Sequence, residues 1–197
     1  MERFEVKDLP LDGAKIVIRK PKWDDRGCFE RMFCEEELIT LLGHRRIVQI
    51  NHSVTYKKGT VRGLHFQHPP NAELKLVSCI KGKIFDVIVD LRKGSPTLLQ
   101  WHGEILAANT FKTLLVPEGF AHGFQTLDDD TELIYFVTSP YRPSHEDGLN
   151  PLEPRLNIPW PCEINTISER DSHFPFLDDG FEGITLEGNV TGQKETA

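Results

Sequence analysis

Several features are scarce in this chain, and each shortage excludes something. Cysteine is one: 197 residues carry four, Cys28, Cys34, Cys79 and Cys162. They form no CxxC pair, and their spacing matches no zinc site. Cys79 falls in an apolar run and reads as a buried thiol. No apolar stretch approaches the ~20 residues that cross a bilayer. The charged opening MERFEVKDLP is not a signal peptide, so a soluble protein of a reducing compartment, the cytoplasm, is expected. An excess of basic residues is missing too. With 23 Lys and Arg against 30 Asp and Glu, the net charge is −7. That disfavours nucleic-acid binding but leaves room for a small anion held by a few local cations. There is no GxGxxG, no phosphate loop and no HxH, and no internal repeat.

Helical signal is also rare. One segment carries it, residues 34–43, CEEELITLLG, with acids at its start and Gly43 placed to stop it. The rest reads as short strands. KIFDVIVDL (83–91) alternates, with Phe85, Val87, Val89 and Leu91 on one face and Ile84, Asp86, Ile88 and Asp90 on the other. Together with LKLVSCI and the turn Lys81-Gly82-Lys83 it is expected to form a hairpin. Further strands are expected at 13–19, 46–54, 60–66, 98–106, 111–116, 121–126 and 132–138, separated by KGSP, VPEG and DDD. Many short strands with such punctuation predict an all-β fold, an antiparallel sandwich or jelly-roll barrel. After residue 139 the chain becomes proline-rich but keeps apolar residues, so it is expected to wrap the sheet. At 197 residues the chain suits one core. A single domain over 1–183 and a frayed tail over 184–197 follow.

VRGLHFQHPPNAELKLV (61–77) raises the functional question. A core strand has no use for Arg62, His65, Gln67 and Lys75, and a solvated one has no use for Leu64, Phe66, Leu74, Leu76 and Val77. A half-buried hairpin is one answer. A pocket wall carrying a base, a cation and hydrogen-bond donors is the other. His65 is the natural base, since a histidine pKa near ~6.5 is easily tuned. Its orienting carboxylate stays open among Asp24, Asp25, Asp86, Asp90 and Asp171. Lys75, on a strand that would pair beside it, suits a developing enolate oxygen. Tyr135 shares a strand face with Leu133 and Val137, and reads either as a core aromatic or as an acid across a cavity. Strand alternation puts Arg62 and His65 on opposite faces unless Gly63 carries a bulge. Eight histidines invite a metal reading, but a metal needs three or four converging ligands.

The segment PEGFAH (117–122) resembles the second motif of the cupin family, PxGxxH, although the HxH of the first motif is absent. A longer set of matches is more specific. DDRG (24–27), VQINHS (48–53), VRGLHFQ (61–67), KLV (75–77), GKIFDVIVDLRKGSPT (82–97), VPEGFAHGF (116–124), LIYFVTSPYRP (133–143), LNIPWP (156–161) and ISERD (167–171) occur in order. In these the chain resembles the dTDP-4-dehydrorhamnose 3,5-epimerases, cupin-fold enzymes of deoxysugar nucleotide synthesis.

The resemblance implies His65 as base, Asp171 as its paired carboxylate, Lys75 near the sugar's carbonyl and Tyr135 as acid on the opposite face. It implies a substrate site lined by Gln49, Asn51, Arg62, His122 and Tyr141, with Arg26 and Arg170 meeting the nucleotide or its diphosphate. A homodimer with strands exchanged between subunits, no cofactor and no metal are also implied. The expected reaction inverts C3 and C5 of a nucleotide-linked 4-keto-6-deoxyhexose through an enolate. Alternatives are inversion at one centre, a different nucleotide-sugar, a binding protein without turnover, and a metal-dependent cupin. Two departures from the family pattern stand out. Arg31 occupies the place of an expected acid, with Glu30 one residue early, and Pro140 precedes Tyr141 where a second aromatic is usual.

Overall fold

The computed structural model describes residues 3–186. Two antiparallel sheets face each other across a shared core. In chain order the strands are β1 (Phe4–Asp8), β2 (Lys15–Arg19), β3 (Lys22–Asp24), β4 (Gly27–Phe29), β5 (Gln49–Thr55), β6 (Thr60–Gln67), β7 (Lys75–Lys81), β8 (Lys83–Asp90), β9 (Trp101–Ala107), β10 (Lys112–Val116), β11 (Phe120–Thr126), β12 (Thr131–Val137), β13 (Glu146–Gly148) and β14 (Thr166–Ile167). The helices are α1 (Glu35–Leu42) and the short α2 (Glu169–Ser172). The first sheet runs β1-β2-β10-β7-β12-β5 and the second β13-β6-β11-β8-β9, with β14 added beside β6 and the hairpin β3-β4 standing apart. The expected mostly-β architecture with few short helices is what forms, but two expected pairings do not. β7 pairs with β10 and β12 while β8 pairs with β11 and β9, so the chain crosses between sheets at Gly82 instead of closing a hairpin. The Lys75 strand faces the His65 strand from the other sheet instead of pairing with it.

Strand alternation divides the apolar residues among three clusters. Inward residues Ile16, Val77, Leu114 and Leu133 of the first sheet meet Ile84, Ile88, Leu106 and Phe124 of the second. The outer face of the second sheet, with Leu64, Phe66, Val87, Val89 and Ala121, is covered by Leu149, Leu156, Ile184 and Trp160 of the C-terminal segment. That is the wrapping expected for the proline-rich stretch. The outer face of the first sheet, with Val17, Leu76, Leu115 and Phe136, is covered by Leu38 and Leu42 of α1. The helix ends at Gly43, whose φ of 61° lets its N–H return to the Ile39 carbonyl.

Several boundaries differ from expectation for identifiable reasons. The strand expected over 98–106 begins at Trp101, because Leu99 adopts φ 61° in the returning turn. That turn is organised by the Asp90 carboxylate, which accepts hydrogen bonds from Arg92, Ser95 and Thr97. The two-residue β14 and one-turn α2 are too short to leave a periodic signal. Ile184, the first residue of the expected tail, is buried and bridges Arg92. Residues 187–197 lie outside the described residues.

Candidate active site

Where the apolar core ends, the space between the sheets opens into a cavity of about 380 Å³, a size usual for small-molecule sites. The same alternation that builds the core lines this cavity. On β5, Gln49, Asn51 and Ser53 project inward at every second position, while Ile50 points out and is 61% exposed. On β7 and β12 the inward positions above Val77 and Leu133 are taken by Lys75 and Tyr135. From the second sheet come His65 and Gln67 of β6 and His122 of β11.

Arg62 lines the cavity as well, against simple alternation. His65 pairs with His122 and Arg62 with Phe124, so Gly63 and Leu64 together oppose Gly123. This is the bulge that the Arg62–His65 conflict required. Gly63 has φ 127°, and a Cβ there would lie 2.5 Å from the Gly123 Cα. Glycine is therefore demanded by backbone conformation and by close approach together.

The carboxylate partner of His65 comes from 106 residues away in sequence. β14 runs parallel to Thr60 and Val61 of β6 and delivers α2 beside the bulge. The Ser168 hydroxyl caps α2 by accepting the Asp171 N–H. Asp171 Oδ1 lies 2.8 Å from His65 Nε2, and Oδ2 accepts the Gly63 N–H at 3.0 Å. Burial works against the charge on Asp171, but the bonds from His65 and the Gly63 N–H outweigh it and hold the carboxyl down at about 2. Arg170 Nη2 also sits 3.0 Å from His65 Nε2. Both contacts cannot be hydrogen bonds, because a guanidinium only donates and an ionised carboxylate only accepts. The buried carboxylate decides: Nε2 carries the proton, and Nδ1 holds the lone pair.

Across the cavity, the Tyr135 hydroxyl lies 3.3 Å from Ser53 Oγ. Burial pushes the phenol above its ordinary pKa, so it is a proton donor at neutral pH. His122 Nε2 lies 2.7 Å from Asp86 Oδ1. Asp86 is fully buried, which raises its pKa, while His122 and Lys75 oppose the shift. The Lys75 ammonium lies 3.1 Å from Glu73. Gln67 fastens the rim: its Nε2 donates to the carbonyls of Asn71 and Pro140, and its Oε1 accepts the Arg142 N–H at 2.7 Å. Tyr141 is thereby held beside Gln49, which accepts its N–H at 3.1 Å.

Of the residues expected from sequence, Gln49, Asn51, Arg62, His65, Lys75, His122, Tyr135 and Tyr141 line this one cavity. Asp171 and Arg170 stand behind His65 and share an adjoining recess with Arg62. Arg26 does not join them. It sits on the β3-β4 hairpin, 90% exposed and paired with Asp24. The departures at 30 and 31 also lie away from the cavity, where Glu30 holds the buried Arg19 at 2.6 Å and Arg31 pairs with Glu37. Sequence reading missed Ser53, Glu73 and Glu146 as site residues, and it weighed Asp86 as a partner of His65, whereas the structure places it against His122. Ser53 and Glu73 were accessible by period-2 alternation from Asn51 and Lys75. Glu146 sits in a three-residue strand with no pattern of its own. Among the described residues, no group of three or more His, Cys, Asp or Glu is arranged to hold a metal ion.

A base-bearing wall and a phenol-bearing wall facing each other across one polar cavity suit proton removal on one side of a ring and proton return on the other. The class so defined is an isomerase built in a cupin-like β-sandwich. Comparison with known proteins gives the particular family. Residues 8–179 match the family described as dTDP-4-dehydrorhamnose 3,5-epimerase. The enzyme of that name from Salmonella typhimurium is 42% identical over 167 residues, covering 83% of this chain and 91% of the relative. The crystal structure of the Bacillus anthracis enzyme, with TDP and pyrophosphate bound, superposes with a TM-score of 0.85 at 42% identity, covering 88% of this chain and 99% of that one. The Legionella pneumophila enzyme in complex with dTDP-4-keto-L-rhamnose gives 0.87 at 36% identity, covering 94% and 100%. The chain belongs to the dTDP-4-dehydrorhamnose 3,5-epimerase family and is an isomerase.

Proposed function

We propose that this protein inverts C3 and C5 of a dTDP-linked 4-keto-6-deoxyhexose, with His65 as base and Tyr135 as acid. The observation that carries the reading is the entry of His65 and Tyr135 from opposite sheets into one cavity, with Lys75 beside them. The 4-keto group acidifies the hydrogens on its two neighbouring carbons. Asp171 fixes the Nε2–H tautomer and leaves Nδ1 to take a proton from one face. The resulting enolate places charge on the C4 oxygen, where the Lys75 ammonium meets it. Tyr135 returns a proton to the opposite face, which inverts the carbon. Burial keeps the phenol protonated before transfer, and the positive charge of Arg62 favours the phenolate that transfer leaves behind. The mechanism draws on no redox group.

Arg62 and Arg170 supply charge-assisted bonds toward the diphosphate. Arg26 faces solvent in a single chain. Its part in nucleotide binding goes with the homodimer, in which the β3-β4 hairpin of one subunit would reach the site of the other. A cytoplasmic location accords with a nucleotide-sugar substrate, and no helix among the described residues is long and apolar enough to cross a membrane.

The test is turnover of dTDP-4-dehydro-6-deoxyglucose in deuterated water, followed by NMR. Deuterium at both C3 and C5 is expected. Label at one carbon would convert the reading to a single-centre epimerase, and exchange at neither would remove the catalytic reading.

A further inference from the structure

Glu73 is a carboxylate of the cavity that the mechanism leaves unused, and it is the one in contact with Lys75. It precedes β7 by two residues, so it shares the inward face with Lys75, while Leu74 between them turns outward into the cluster beneath α1. The backbone at Leu74 is tied down on both sides. Its N–H donates to Thr138 Oγ1 at 2.9 Å, and its carbonyl accepts the Thr138 N–H at 3.1 Å. Thr138 follows directly on β12, the strand that carries Tyr135. Glu73, Lys75 and Tyr135 therefore stand on one rigid pair of strands. The two charged side chains are 12% and 11% exposed, and Glu73 Oε1 lies 3.1 Å from Lys75 Nζ.

We infer that Glu73 is a positioning residue, whose carboxylate fixes the Lys75 ammonium where the C4 oxygen of the sugar arrives. The inference rests on the reading of Lys75 as the partner of that oxygen. A lysine side chain has four rotatable bonds, and left unheld in a polar cavity it would spread its ammonium over many positions. A short contact to a carboxylate on a tied backbone removes that freedom. It uses one of three N–H donors and leaves two for the substrate. The size of the effect follows from geometry, since a displacement of 1 Å of a catalytic group costs up to about 10²-fold in rate. An opposing effect exists, because a nearby carboxylate also repels the developing oxyanion. If that repulsion prevailed, removing Glu73 would speed the reaction.

The experiment compares Glu73→Ala, Glu73→Gln, Lys75→Met and the double variant Glu73→Ala/Lys75→Met. Each is assayed for kcat, KM and deuterium exchange, with melting temperature as a check on folding. Glu73→Ala is expected to lower kcat about 10- to 100-fold with KM changed less than about 3-fold. Glu73→Gln keeps an oxygen that can accept from the ammonium and is expected to stay within about 5-fold of the parent. In the Lys75→Met background, adding Glu73→Ala is expected to change exchange by less than about 2-fold, because the two residues act as one unit. Unchanged or raised kcat in Glu73→Ala, failure of Gln to rescue, or additive losses in the double variant would overturn the inference. An unimpaired Lys75→Met would strike instead at the role of Lys75, a separate outcome. If Lys75→Met leaves no measurable exchange, the kcat loss in Glu73→Ala and its rescue by Gln decide.

Discussion

At the residue scale, the proposed mechanism begins with one imidazole, and its tautomer is set by one carboxylate. Replacing His65 by Asn is expected to cut turnover by about 10² to 10⁴-fold, while calorimetric binding of the dTDP-sugar is largely retained. Residual activity close to that of the parent would free His65 of its assigned role. Asp171 makes a second prediction through pH. Its carboxyl titrates at about 2 instead of 3.8, so folding is favoured above pH ~4 and that contribution disappears as pH falls toward 2. A shift of this size corresponds to on the order of 2 kcal/mol. Denaturant unfolding between pH 4 and 2 should show the parent losing this increment and Asp171→Asn lacking it. Spacing left five aspartates equally eligible as the partner of His65, and only the family resemblance singled out Asp171, which the structure places 2.8 Å from the imidazole. His122 and Asp86 illustrate the same limit: both were visible in sequence, and only folding reveals that they face each other 2.7 Å apart.

The decisive feature among the elements is the bulge in β6. Without it, Arg62 would project toward the outer face, away from His65. A Gly63→Ala side chain would meet the Gly123 Cα at 2.5 Å and the His122 carbonyl at 2.9 Å. It would also have to adopt a positive φ. The expected cost is about 3 kcal/mol or more, seen as a melting temperature lower by roughly 6–12 °C for a chain of this size together with loss of turnover. A variant with parental stability would show that the bulge tolerates a side chain. Strands as a class were well marked in the sequence, because alternation is a strong signal wherever one face is apolar. β13, β14 and α2 were not, for they are two to four residues long and are fixed by partners distant in sequence.

Across the whole molecule, the first sheet ends on β5, an edge strand. Its residue Ile50 is 61% exposed, and the flanking Val48 and Tyr56 and the hairpin's Trp23 and Phe29 are exposed too. Such an edge invites pairing with another chain unless it is protected. With the proposed homodimer, sedimentation should give the mass of two chains. Ile50→Lys should shift the protein toward monomer and lower activity, because β5 carries Gln49, Asn51 and Ser53 into the cavity. A fully active monomer would refute the exchange of strands. Burial also settles the fate of the thiols: Cys79 is 1% exposed, and desolvation pushes its thiol up to about 11, so it should resist alkylation in the folded protein while the exposed Cys28 reacts.

The order of apolar and polar residues along the chain was enough, by itself, to determine the class of the fold, the helix over 34–43 and most of the strands. These follow from local periodicity, and local periodicity is a property of sequence. The ordered motifs determined the family and singled out the residues proposed as base, acid and cation. Tertiary structure alone decided that Asp86 meets His122, that Glu73 lies against Lys75, and that Arg26 stands apart from the cavity in one chain. Those outcomes depend on how two sheets, a bulge and a returning C-terminal segment meet in space, across separations of as much as 108 residues that no short-range pattern encodes.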